Sequence, residues 1–173
     1  DTEAAELRML GSLGYDVTTF GNHEFDYRSK GLANMLNAAV NSGETLPEIV
    51  VCNVDWDAME KDGLSDGQKQ IQSAFETYGV KDYAMVQKGD VKIAVVGVFG
   101  KDALECAPTC ELSFKDPVEA VKQTVEEIRK NEDADMIACV SHSGTWDDEN
   151  KSEDELLAKA VPDIDLIISG HTH

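Results

Sequence analysis

The chain has 173 residues, with 15 Lys and Arg against 34 Asp and Glu, and a formal net charge of −19. That length suits one domain, and an apolar fraction of 42% with 13 glycines supplies material for a buried core, which argues against disorder. The acidic balance repels phosphate backbones and argues against binding to a nucleic-acid polymer. The longest apolar run, Ile93 to Phe99, is too short for the roughly 20 residues that cross a bilayer, and no basic-then-apolar leader opens these residues.

Apolar periodicity sets the expected elements in chain order. Residues 2–13 read as a helix and Tyr15–Phe20 as a strand. Ser29–Val40 reads as a helix whose apolar positions are Leu32, Met35, Leu36, Ala39 and Val40. Ile49–Val54 is a second strand and Gln68–Tyr78 a helix. Tyr83–Lys88 and Val91–Val98 flank Gly89-Asp90, a two-residue turn with Gly first, and predict a hairpin. Asp116-Pro117-Val118-Glu119 opens a helix with a capping residue, Pro at the first helical position and Glu at the third. Val118, Val121, Val125 and Ile128 line its apolar face. Met136–Val140 is a strand, Ser152–Ala160 a helix with Ser152 and Glu155 as a capping box, and Asp165–Ser169 a last strand. Repeated βα units predict an α/β layered domain with a largely parallel sheet. The chain opens inside an apparent helix and stops directly after a strand, so residues 1–173 read as a single partial domain of a larger protein, truncated at both ends.

Cys52 and Cys139 sit inside apolar runs and read as buried small hydrophobes. Cys106 and Cys110 lie in the Pro-containing segment ECAPTC, where a local disulfide and two free thiols are both open. A zinc site there lacks a second pair at finger spacing. The dense run Asp147 to Glu155 reads as a solvated loop whose acids favour the start of the next helix.

The chain has four histidines, each just past the C-terminal end of an expected strand. His23 lies in GNHEFD, His142 in SHSG, and His171 and His173 in GHTH. Ligands of open α/β sheets bind at the carboxyl ends of strands, so three strands deliver imidazole to one rim. A metal site uses imidazole nitrogens with Asn and Asp oxygens. His171 and His173, two apart in extended backbone, would point to one side and serve neighbouring ions. Gly21, Gly144 and Gly170 would allow close approach of backbone. The competing chemistry, a nucleophile at Ser141 or Ser143, lacks the strand–GxSxG–helix elbow.

Taken together, GNHEFD (Gly21–Asp26), SHSG (Ser141–Gly144) and GHTH (Gly170–His173) resemble consecutive motifs of the calcineurin-like metallophosphoesterases, in the branch of 5′-nucleotidases and 2′,3′-cyclic-nucleotide phosphodiesterases. The resemblance implies a layered sheet flanked by helices and metal-assisted hydrolysis of a nucleotide or other small phosphoester. It implies two divalent ions, manganese, zinc or similar, in the complete protein. Asn22, His142 and His171 would bind one ion and His173 the other. His23 would contact the phosphate, oriented by Asp26. For Glu24 the expectation is a carboxylate bonded to loop backbone, and for Phe25 a core position. The metals would supply the positive potential that an acidic chain lacks. Relatives of this branch are usually exported or held at the cell surface, which implies an extracytoplasmic location.

Two earlier family motifs are not in place. No Asp-x-His occurs in the chain, and the single Gly-Asp, Gly89-Asp90, follows GNHE and falls in the expected hairpin turn. The first strand and its motifs are therefore expected to be missing, as is the family's substrate-binding domain. These residues alone are expected to bind at most one ion well and to have little or no activity, with an unpaired sheet edge open to a second copy. A 2′,3′-cyclic-nucleotide phosphodiesterase or a sugar-nucleotide pyrophosphatase on the same scaffold is the alternative to a 5′-nucleotidase within enzymes. A non-catalytic metal-binding or interaction module is the alternative outside them.

Overall fold

A computed structural model describes residues 3–173. Helix α1 (Ala5–Ser12) leads into strand β1 (Val17–Thr18), a 3₁₀ turn (Asn22–Phe25) and helix α2 (Arg28–Asn41). Strand β2 (Glu48–Ile49) is followed by helices α3 (Trp56–Asp62) and α4 (Asp66–Tyr78), then by the hairpin of β3 (Tyr83–Lys88) and β4 (Val91–Phe99). Helices α5 (Lys101–Glu105) and α6 (Pro117–Asn131), strand β5 (Met136–His142), helix α7 (Glu153–Ala160) and strand β6 (Leu166–Ser169) complete the order. Of the first expected helix, residue 2 lies outside the described residues.

Strands β3-β4-β5-β6 form one sheet, antiparallel at the hairpin and parallel across β4-β5 and β5-β6. The expected Gly89-Asp90 turn joins the hairpin, with Gly89 at φ 61. β1 pairs in parallel with β2 at only two positions, so both strands are shorter than the apolar runs predict. Beyond β2 the chain joins the main sheet by single contacts: Cys52 N–H donates to the Gly97 carbonyl at 2.8 Å. The buried Asn53 side chain then continues the ladder by accepting from Phe99 N–H at 3.0 Å and donating to the Phe99 carbonyl at 2.7 Å. A Cβ on Gly97 would lie 1.9 Å from the Val50 carbonyl oxygen, so only glycine permits this approach.

Two helices were not legible in the periodicity. α3 is capped by Asp55, whose carboxylate accepts from Ala58 N–H at 3.0 Å. α5 is capped from afar: Glu153 accepts from Lys101 N–H at 2.8 Å and Asp102 N–H at 3.1 Å, and no local pattern could signal that. At α6 the expected cap forms, with Asp116 accepting from Glu119 N–H at 3.1 Å ahead of Pro117. At α7 the expected capping box does not form. Ser152 hydroxyl donates to Glu155 at 2.9 Å and accepts from Trp146 N–H at 3.2 Å, so it fastens a loop instead of satisfying the helix terminus.

One face of the sheet is covered by α6 and α7, with Val121, Val125, Ile128 and Leu157 packed against Val96, Val98, Ile137 and Cys139. Each such fully buried aliphatic side chain stabilises the fold by about 1.5–3 kcal/mol. A second core joins α1, α2 and α4 through Leu32, Leu36, Ile71 and a chain of aromatic contacts. Phe20 stacks on Phe75, and Phe25 meets Phe99 edge-on. This places Phe25 in the core, as expected. On the opposite face Ala84, Val95 and Ala138 are buried, with Val50 of the segment after β2 packed against Ala84 and Val95, and β6 leaves Leu166 and Ile168 exposed.

All four cysteines are free. Cys52 and Cys139 are buried, as their apolar runs predict, and burial pushes Cys52 up to about 12. The Cys106–Cys110 bridge does not form. Cys106 instead ends one turn past Asp102, with Sγ 3.9 Å from its carboxylate.

Candidate metal and phosphate site

The parallel strands β4, β5 and β6 end at one rim, and the turn after β1 folds over it. Phe20 and Phe25 anchor that turn in the core, so Gly21–Glu24 is pressed against the end of β5. A Cβ on Gly21 would lie 2.9 Å from Cε1 of His142. The Glu24 carboxylate accepts the Gly21 N–H, closing the turn on itself. Burial raises its pKa, and its backbone hydrogen bonds hold the rise in check. Glu24 thus has the loop-bonding place expected of it.

This packing brings three segments together. Asn22 Oδ1 lies 2.8 Å from His142 Nε2 and 3.3 Å from His171 Nδ1. The two imidazoles meet edge-on with centroids 5.0 Å apart, and Trp146 packs edge-on against His171 at 6.3 Å. Burial lowers the pKa of His142, and the neighbouring His171, His23 and His173 lower it further. A neutral imidazole is the form that binds a cation. Asn22, His142 and His171, named separately from sequence, therefore converge with two ring nitrogens and an amide oxygen around one point. That donor set fits a divalent transition-metal ion.

His23 lies apart from this cluster. Its ring is 83% exposed, with Nδ1 2.9 Å from Asp26 Oδ2. The expected His23–Asp26 pairing is in place, and its imidazole faces solvent. His173 is exposed. The expectation that His171 and His173 share one side of an extended segment does not hold. β6 ends at Ser169 and His171 adopts φ 88, a left-handed conformation that breaks the two-residue alternation. It turns the His171 ring inward, to 11% exposure.

Sequence reading missed the supports beneath the rim. Asp154 lies within the acidic run read as solvated, yet it is only 3% exposed. Its carboxylate accepts from Ser141 hydroxyl at 2.6 Å, from Gly144 N–H at 3.1 Å and from Ser169 hydroxyl. These donors flank His142 on both sides and precede His171 by two residues, so one carboxylate ties both ligand-bearing strand ends together. Its neighbour Glu153 caps α5. Ser141 and Ser143 are buried and bonded to each other at 2.8 Å, so neither is placed as a nucleophile beside an imidazole base.

Comparisons with known proteins place the chain in a family. The chain is 32% identical over 98% of its length to the trifunctional nucleotide phosphoesterase protein YfkN of Bacillus subtilis, covering 12% of that protein. It is 30% identical over 96% of its length to the protein UshA of Yersinia enterocolitica, covering 28% of it. The fold superposes on the crystal structure of a 5′-nucleotidase precursor from Thermus thermophilus with a TM-score of 0.71 at 24% identity, over 96% of this chain and 28% of that one. The chain therefore spans between about an eighth and under a third of the length of these relatives. The family profile of the calcineurin-like phosphoesterases matches residues 1–173, and the chain belongs to that family.

Proposed function

We propose that this chain carries part of the catalytic face of a phosphohydrolase acting on nucleotide phosphoesters. The observation that carries the reading is the convergence of Asn22 Oδ1, His142 Nε2 and His171 Nδ1 from three segments far apart in sequence. Asn22, His142 and His171 hold one divalent ion, and His173 contributes to a second. His23 binds a phosphoryl oxygen as an exposed donor, and Asp26 fixes its tautomer. Bound divalent ions supply Lewis acidity toward the phosphoryl oxygens and the attacking water.

The substrate class rests on the relatives, named as a nucleotide phosphoesterase and 5′-nucleotidases. An anionic substrate approaches a chain of net charge −19 because the cations, and not basic side chains, make the rim locally positive. Without an Asp-x-His, and with its Gly-Asp spent on the β3–β4 turn, this chain alone turns over little or no substrate. An extracytoplasmic location belongs to the same reading and rests on the family resemblance. Among the described residues no helix is long and apolar enough to cross a membrane.

The test is binding of adenosine monophosphate with and without manganese. The reading expects affinity only with the metal, abolished by His142→Ala and weakened by His23→Ala. Metal-independent binding, or binding indifferent to both substitutions, would overturn it. Robust hydrolysis abolished by His142→Ala would overturn the inactivity of the chain alone.

A further inference from the structure

The remaining face of His171 is also occupied. Its Nε2 lies 2.8 Å from Asp102 Oδ2, a shorter contact than the 3.3 Å from Nδ1 to Asn22. A neutral imidazole carries one proton, and the carboxylate is the stronger acceptor of the two. Donation from Nε2 to Asp102 is the better-matched tautomer, and it leaves a bare lone pair on Nδ1 facing the oxygen of Asn22. Two acceptors facing one another have nothing to gain from that contact unless a cation lies between them.

We propose that Asp102 is a positioning residue for the metal site, fixing His171 in the Nε2–H tautomer so that Nδ1 is presented to the ion. The inference rests on His171 being a ligand, as proposed above. Asp102 is held for this task. It stands in the first turn of α5, whose N-terminus is capped by both oxygens of Glu153. Glu153 adjoins Asp154, which secures the strand end leading to His171. One turn of α7 thus sets the position of His171 along the chain and the position of the carboxylate that orients its ring. The left-handed backbone at His171, a conformation that costs energy for a residue with a side chain, is retained where it aims Nδ1 at Asn22 and Nε2 at Asp102.

Cys106 supplies the sharpest alternative. Asp102, Cys106 and His171 each place one donor atom within 4.8 Å of the others. In that arrangement Asp102 would be a direct ligand of a separate ion, with His171 contributing Nε2. Our proposal assigns the proton-bearing nitrogen to Asp102 and leaves Cys106 without a part in binding.

The test measures manganese affinity by calorimetry for the chain and its Asp102→Asn, Asp102→Glu, Cys106→Ser and His171→Ala variants. It also records the nitrogen chemical shifts of the His171 ring without metal. Asp102→Asn is expected to weaken binding by about 10–100-fold, the usual effect of removing a carboxylate behind a metal-bound imidazole. Asp102→Glu restores most of that loss, and Cys106→Ser leaves affinity unchanged. The metal-free spectrum should show a protonated Nε2 that shifts toward the other tautomer in Asp102→Asn. Unchanged affinity and unchanged tautomer in Asp102→Asn would overturn the proposal. A loss in Cys106→Ser equal to that in Asp102→Asn would overturn it in favour of the three-donor site. Wild-type affinity in His171→Ala would instead overturn the underlying reading of His171 as a ligand.

Discussion

The two halves of the rim are built in opposite ways. His142 and His171 are half-buried or better, touch the same amide oxygen, and stand on strand ends tied down by Asp154. His23 projects into solvent from a 3₁₀ turn with a single carboxylate beside it, and His173 is exposed. Groups that must surround an ion need fixed geometry before the ion arrives, since ordering them afterwards costs conformational entropy. A group that meets a substrate must stay accessible. On the proposed reading, the difference in burial between the His142–His171 pair and His23 separates the work of holding a cation from the work of meeting an anion, whereas His173, proposed to serve a second ion, is exposed.

The most damaging change to the inner half should be Asp154→Ala. It leaves the buried Gly144 N–H without its acceptor, at about 1–3 kcal/mol for a buried group left unpaired, and takes one bond each from Ser141, which keeps Ser143, and from the exposed Ser169. Urea unfolding should show a midpoint well below that of the parent chain, and an unchanged midpoint would show that the strand ends hold themselves. Gly21→Ala should come next, because its methyl group would press on a His142 ring with little room to move. Overpacking of this kind costs about 1–3 kcal/mol, so a lowered melting temperature and weaker manganese binding are expected together. In the outer half, Asp26→Asn removes an exposed ion pair worth about 0–1 kcal/mol. Thermal unfolding and metal affinity should both stay close to those of the parent chain, while nucleotide binding in the presence of metal weakens. A large loss of metal affinity in this variant would erase the distinction between the halves.

The thiols offer the mildest probe. Cys106 is exposed beside Asp102, whereas burial pushes Cys110 up to about 11 and Cys52 up to about 12. A thiol reagent near neutral pH should modify Cys106 first and reach Cys52 and Cys139 only on unfolding. Raising the pH toward 11 should bring Cys110 into reaction as its thiolate forms.

Much of this arrangement was legible from local pattern. The capping residue and Pro117 announced α6, Gly89-Asp90 announced the hairpin, and four histidines after strand ends announced the rim. What was hidden depends on partners distant in sequence. α5 owes its N-terminus to Glu153, some fifty residues on, and the fit of Asp102 to His171 depends on how β6 ends. Asp154 was masked by its neighbours: periodicity reports that a run is acidic, but not which of its members faces inward. The inward turn of His171 was masked too, since the enrichment of histidine at positive φ is too weak a signal to place one there.

The central claim is that Asn22, His142 and His171 form one cation site. Its most direct test is a calorimetric manganese titration of the chain beside its His142→Ala variant. The parent chain should bind a single ion and the variant none, with both equally folded by circular dichroism. Equal binding by the two would contradict it, because the ion would then be held elsewhere.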